Sequence, residues 1–90
     1  MTRAVVTVIG VDRPGIVAGV SRVLADHNVN IEDISQTVLR DIFAMVMLVD
    51  LSEADVSLKE LRRELERVGK ELGVEVVVQH EDVYRAMHRV

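Results

Sequence analysis

Thr2-Arg3-Ala4-Val5-Val6-Thr7-Val8-Ile9-Gly10-Val11-Asp12-Arg13-Pro14-Gly15-Ile16-Val17 changes its periodicity at the Pro-Gly pair, and that change decides the fold. Before the pair, apolar residues fall on both faces of an extended chain: Val5, Ile9 and Val11 on one, Val6 and Val8 on the other. A strand apolar on both sides belongs in the middle of a sheet. After the pair, Ile16, Val17, Val20, Val23 and Leu24 recur at helical spacing and share one face. Proline suits the first helical position because its missing N–H would be unbonded there, and Asp12 is placed to cap. Asn28 tolerates the left-handed conformation that ends helices. The reading is a strand over 2–11 and a helix over 14–27.

Outward from this unit the pattern continues. Residues 29–39 place Asn30, Glu32, Asp33, Ser35, Gln36 and Thr37 among the apolar positions, as an edge strand does to discourage further pairing. Arg40-Asp41 forms a turn, and 42–51 is apolar on both faces, a second central strand. Ser57 with Glu60 three residues later fits a capping box. Leu58, Leu61, Leu65, Val68 and Leu72 follow as an amphipathic stripe that Gly73 stops. A last strand is expected over 74–80. A short helix over 81–90 would then carry Val83, Met87 and Val90 on one side.

The order β-α-β-β-α-β describes an α+β, ferredoxin-like fold. Right-handed crossovers interleave its two β-α-β units into a four-stranded antiparallel sheet with two helices on one face. The first and third strands lie in the middle, and a short C-terminal helix is added. The expected division is a single domain over 1–80 and a helical extension over 81–90. Because both central strands are apolar on both faces, a second chain or the C-terminal helix is expected to cover the outer face. A homodimer is the expected assembly.

Composition narrows the chemistry. The chain has 90 residues, enough for one domain that buries only about 60% of its unfolded surface. Apolar residues make up 49% and aromatics 2%, so the core is built from aliphatic side chains and methionine. No cysteine is present, which removes disulfides, thiolate metal sites and a cysteine nucleophile. The net charge of −4, with basic residues interspersed among acids, argues against nucleic acid as a partner. No leader or membrane span is legible, and the default expectation is a cytoplasmic protein with no membrane contact.

Function must be read from sites, since this architecture carries many activities. RNA-binding sheets of this topology stack bases on central aromatics, and only Phe43 is available. A copper carrier would need the missing cysteines. An acylphosphatase-like hydrolase is the strongest catalytic competitor, but it needs an asparagine on the third strand, and 42–51 has none; Arg22 also lies too far into the helix. His27, His80 and His88 are scattered and read as surface or cap residues, with no metal-ligand spacing. Ser21 has no evident base. No catalytic residue, metal ligand or cofactor site is expected, so the chain is not read as an enzyme.

Two segments remain. A helix N-terminus offers unbonded N–H groups and partial positive charge, which suit a carboxylate. Gly15 leaves the backbone open to approach. Asn30 can both donate and accept, as an ammonium or amide partner requires. The same residues also read as an ordinary strand-to-helix turn and an ordinary helix stop, and composition leaves both readings open.

Asp12-Arg13-Pro14-Gly15-Ile16-Val17, followed by Asn28-Val29-Asn30-Ile31, resembles the signature of ACT domains over essentially the whole chain. The resemblance extends to the modules of formyltetrahydrofolate deformylase and of the glycine-cleavage-system repressor. Small stand-alone members of the family look closer still, including the ending Met87-His88-Arg89. It implies a regulatory module that binds an amino acid or related metabolite at a dimer interface. By position, Asp12, Arg13, Pro14, Gly15 and Ile16 would contact the ligand opposite Asn28, Asn30 and Ile31. With no attached catalytic or DNA-binding domain in the sequence, regulation would act through a separate partner protein. Some ACT domains only dimerise, so a purely structural interaction module is the alternative.

Overall fold

The computed structural model describes residues 2–87, with the Met87 side chain excluded. The elements are β1 (Arg3–Val11), α1 (Ile16–Asp26), β2 (Asn30–Leu39), β3 (Ile42–Asp50), α2 (Leu58–Leu72), β4 (Val74–His80) and α3 (Glu81–Met87). The four strands form one antiparallel sheet in the order β2-β3-β1-β4. The two strands that are apolar on both faces are the central ones, as that pattern implies.

Alternation fixes which side chains meet the helices. Ala4, Val6 and Val8 of β1 are fully buried, and Phe43, Met45, Met47 and Val49 of β3 face the same layer. Val74, Val76 and Val78 extend it on β4. From the helices, Ile16, Val20 and Leu24 of α1 and Leu61 and Leu65 of α2 close the core. Burying one such side chain contributes about 1.5–3 kcal/mol. Gly69 of α2 lets that helix sit directly on β4: a Cβ there would lie 2.7 Å from the Val76 side chain and 3.0 Å from the Val74 carbonyl.

Among the described residues, the opposite face is covered only at one end. Val5 is 8% exposed, and with Met47 and Leu48 it borders a hollow closed by Glu81, Tyr84 and Arg85 of α3. From Val46 at the edge of that hollow, the face continues through Ile42, Ile9 and Val11, all 40–57% exposed. The expected C-terminal helix therefore covers part of the face and leaves the rest open. Of its expected apolar residues, Val83 is exposed, while Val90 and the Met87 side chain lie outside the described residues, as do His88 and Arg89.

The start of α1 differs from the sequence reading for a physical reason. The first helix begins at Ile16 and not at Pro14, and Asp12 does not cap it. Gly15 occupies the cap with φ 93° and ψ −5°, the dihedrals of the third residue of a type II turn, with Pro14 at the second. The chain thus makes a turn before it makes a helix. The Asp12 N–H points away and donates to the Asp41 carbonyl at 2.8 Å, tying the turn to the β2–β3 hairpin. A bulge between Ile31 and Asp33 also interrupts β2, and the sequence carried no sign of it.

The other terminators behave as read. Asn28 has φ 58° and Arg40 has φ 59°. Ser57 and Glu60 form a reciprocal capping box: Ser57 Oγ accepts from Glu60 N–H and Glu60 Oε1 accepts from Ser57 N–H. Those bonds hold the Glu60 carboxyl below its ordinary range.

Candidate functional site

The two segments singled out in the sequence lie at opposite ends of α1. Eleven residues at 1.5 Å each separate them by about 16 Å. Within one chain, Asp12–Ile16 and Asn28–Ile31 are not brought together.

At the N-terminal end, Asp12, Arg13, Pro14 and Gly15 are all exposed. The first intrahelical bond runs from Gly19 N–H to the Gly15 carbonyl at 2.8 Å, so the N–H groups of Ile16, Val17 and Ala18 precede the ladder. No side chain caps them. A Cβ built on Gly15 would meet nothing within 4 Å. The turn is therefore an open, partly positive surface of backbone donors. Ile16 contributes only its amide there, because its side chain is 2% exposed and belongs to the core. Arg13 is engaged elsewhere. Its Nη1 donates to the Leu72 carbonyl at 3.1 Å, a positive cap on the last turn of α2.

At the C-terminal end, an open cleft of about 550 Å³ is lined by Ala25, Asn28, Val29, Asn30, Asp50 and Glu53. Asn30 opens β2 directly opposite Asp50 at the end of β3, while Ile31 turns toward the core. Asp50 Oδ1 accepts from Ser52 N–H at 2.9 Å and Ser52 Oγ–H at 2.6 Å, and these bonds lower its pKa. A firmly ionised carboxylate next to an asparagine amide suits a cationic group. Arg3, facing Asp50 from β1, is committed to Glu32 in an ion pair that raises its pKa. Sequence reading found Asn28 and Asn30 but missed Asp50 and Glu53, which reach the cleft only through strand register and the following loop.

That loop is sewn to the end of α1. Asn28 Nδ2 donates to the Glu53 carbonyl at 3.0 Å, and Asp55 N–H donates to the His27 carbonyl at 3.2 Å. The His27 ring lies between two carboxylates, with Nδ1 3.0 Å from Asp55 Oδ1 and Nε2 3.1 Å from Glu64 Oε2. Hydrogen bonding to Asp55, then to Glu64, raises the pKa of the imidazole. His27 is thus the cap residue expected, with a bridging role its sequence neighbours did not reveal. Among the described residues no cluster of histidine and carboxylate ligands could hold a metal ion, and no helix is long and apolar enough to cross a membrane.

Comparison with known proteins agrees with the fold. The family model for the ACT domain matches residues 2–79. A UPF0237 protein of Methanopyrus kandleri is 82% identical over 90 residues, spanning all of both chains. Among solved structures, an ACT domain protein from Streptococcus pneumoniae superposes with a TM-score of 0.81 at 41% identity, covering 97% of this chain and 98% of that one. The regulatory subunit of aspartate kinase from Thermus thermophilus, in a ligand-free form, gives a TM-score of 0.66 at 29% identity over 87% of this chain and 50% of that one. The chain belongs to the ACT domain family, whose members are commonly regulatory ligand-binding modules.

Proposed function

We propose that this protein is a regulatory module that binds an amino acid or similar zwitterionic metabolite between two copies of itself, and so modulates a separate enzyme or regulator. The observation that carries the reading is the complementarity of the two ends of α1. One presents free amide donors at a bare glycine; the other presents Asp50, Asn28 and Asn30. A carboxylate fits the first and an ammonium the second. Membership of a family of ligand-binding modules adds to it.

The separation of about 16 Å is far longer than an amino acid, so the two halves serve one ligand only if they come from different chains. β2 supplies a route. It is an edge strand, and Ile34 and Val38 on its helix side stay exposed because the helices lie over the other strands. A second copy running antiparallel alongside β2 would set its turn level with Asn30 and bury both residues. The resulting two-fold would make two equivalent sites. Ligand would favour the dimer geometry in which both halves close, and a tenfold shift needs about 1.4 kcal/mol of differential affinity. A few charge-assisted hydrogen bonds supply that much.

The test is a thermal-shift screen over amino acids and folate-pathway compounds, followed by calorimetry. One class of compound is expected to raise Tm in a concentration-dependent way, as mass action requires. If no proteinogenic amino acid or related metabolite binds, the sensor reading fails. Sedimentation is expected to give a dimer at micromolar concentration, and a well-folded monomer there would overturn the composite site. A protein that dimerises and ignores every metabolite would be the purely structural module.

A further inference from the structure

The loop that forms one wall of the cleft meets the His27 ring through Asp55, and the geometry constrains that histidine's proton. A neutral imidazole has one N–H donor and one lone pair, and an ionised carboxylate can only accept. The His27 ring sits at hydrogen-bond distance from carboxylate oxygens at both nitrogens, 3.0 Å to Asp55 and 3.1 Å to Glu64. Both contacts are hydrogen bonds only when the ring carries two protons. Loss of one proton leaves a lone pair facing a carboxylate, and one of the two links must open.

The three partners lie on different elements. His27 caps α1, Asp55 lies in the β3–α2 connection, and Glu64 is on α2. Arg67 also reaches Glu64, at 3.4 Å to its other oxygen, and Glu60 adds a further carboxylate on the α2 side. The groups around the ring are therefore Asp55, Glu64 and Glu60, all acidic, with Arg67 competing for Glu64 and Arg63 for Glu60 from α2. The same connection carries Glu53, whose carbonyl is bound by Asn28 and which lines the cleft with Asn30 and Asp50.

We propose that protonated His27 clamps the 52–56 loop between α1 and α2, so that the cleft at Asn28, Asn30 and Asp50 is shaped at low pH and loosened at high pH. This rests on the ligand-site reading for its functional meaning, but the clamp itself exists without ligand. A protein acting through this site would then report metabolite and proton together, binding more tightly on the acid side.

The experiment uses the full chain with no ligand. Amide-exchange protection factors of residues 53–56, corrected for intrinsic rates, are followed from pH 5 to 9 beside the NMR titration of the His27 ring. The opening equilibrium is expected to rise by up to about tenfold per pH unit between the ordinary imidazole value near 6.5 and the ring's raised midpoint, and to level off above it, as loss of one linked proton requires. His27→Gln is expected to hold the loop in a pH-independent state of low protection. Glu64→Gln gives the complementary result: its amide can donate to a neutral ring, so protection stays high and the pH dependence weakens. A ring that titrates while protection stays flat overturns the clamp. So does an unchanged pH profile in Glu64→Gln. Because no ligand enters, failure of the clamp leaves the metabolite reading standing, and failure of the metabolite screen leaves the clamp standing.

Discussion

The two ends of α1 are built in opposite ways. Its C-terminal end is tied down: His27 and Asn28 bond the following loop through side chains and backbone, and reach α2 through Glu64. Its N-terminal end is left open, with a left-handed glycine, no side-chain cap and amides ahead of the helical ladder. A helix end capped by glycine forgoes roughly a few tenths of a kcal/mol that an ordinary capping side chain would supply. The contrast with α2, which has a complete capping box, locates the sacrifice in one place. The open end is given to the proposed ligand site alone, whereas the tied end combines that site with a structural bridge, and mutations should separate the two roles.

The largest effect should come from Gly15→Asp. It puts a carboxylate where the metabolite's carboxylate is expected, and calorimetry should find binding weakened by at least about 100-fold. The fold should survive, because space around the missing Cβ is empty and aspartate tolerates positive φ better than most residues. A variant that binds normally would break the comparison. Asn28→Ala should lower stability as well as binding at the tied end, because Asn28 both holds the loop and lines the cleft. Losing the bond to the Glu53 carbonyl and placing alanine at φ 58° should cost about 1–2 kcal/mol. In a domain of this size Tm should fall by roughly 4–16 °C.

A pH scan sharpens the same contrast. The folded-state pKa of His27 is raised above the ordinary value near 6.5, so its contribution to stability is complete below that value. It is lost as pH rises through the folded pKa. Thermal melts should therefore show Tm falling on the alkaline side of 6.5 in the wild type and a flatter curve in His27→Gln. The opposite slope, with stability gained on that side, would refute the bridge. The smallest effect belongs to Arg13→Ala. It removes an exposed cap on α2 and should cost about 0.5–1 kcal/mol, with ligand affinity unchanged. A large loss of affinity would return Arg13 to the binding surface.

How much of this was legible in sequence follows the range of each interaction. The Ser57–Glu60 box was legible because it spans three residues, and β1 and β3 were legible as central because both of their faces are apolar. The start of α1 was misread because Asp12-Arg13-Pro14-Gly15 fits a capped helix and a type II turn equally well, and only the left-handed Gly15 separates them. The bulge in β2 left no compositional trace. At the candidate site, Gly15, Asn28 and Asn30 stood out as residue types, whereas Asp50 reaches the cleft through a register set partly by that bulge. His27 meets partners 28 and 37 residues away, and no local pattern points to them.

The most direct test of a site shared between chains is complementation. Gly15→Asp is expected to ruin the turn, and Asn30→Ala the cleft, so neither variant alone should bind the metabolite that stabilises the wild type. When the two are mixed and allowed to exchange, each mixed dimer keeps one site with a sound turn from one chain and a sound cleft from the other. Calorimetry of the equimolar mixture should then recover roughly a quarter of the wild-type sites, since half the dimers are mixed and half of their sites are intact. If mixed dimers form and no binding returns, the two ends of α1 do not meet across chains.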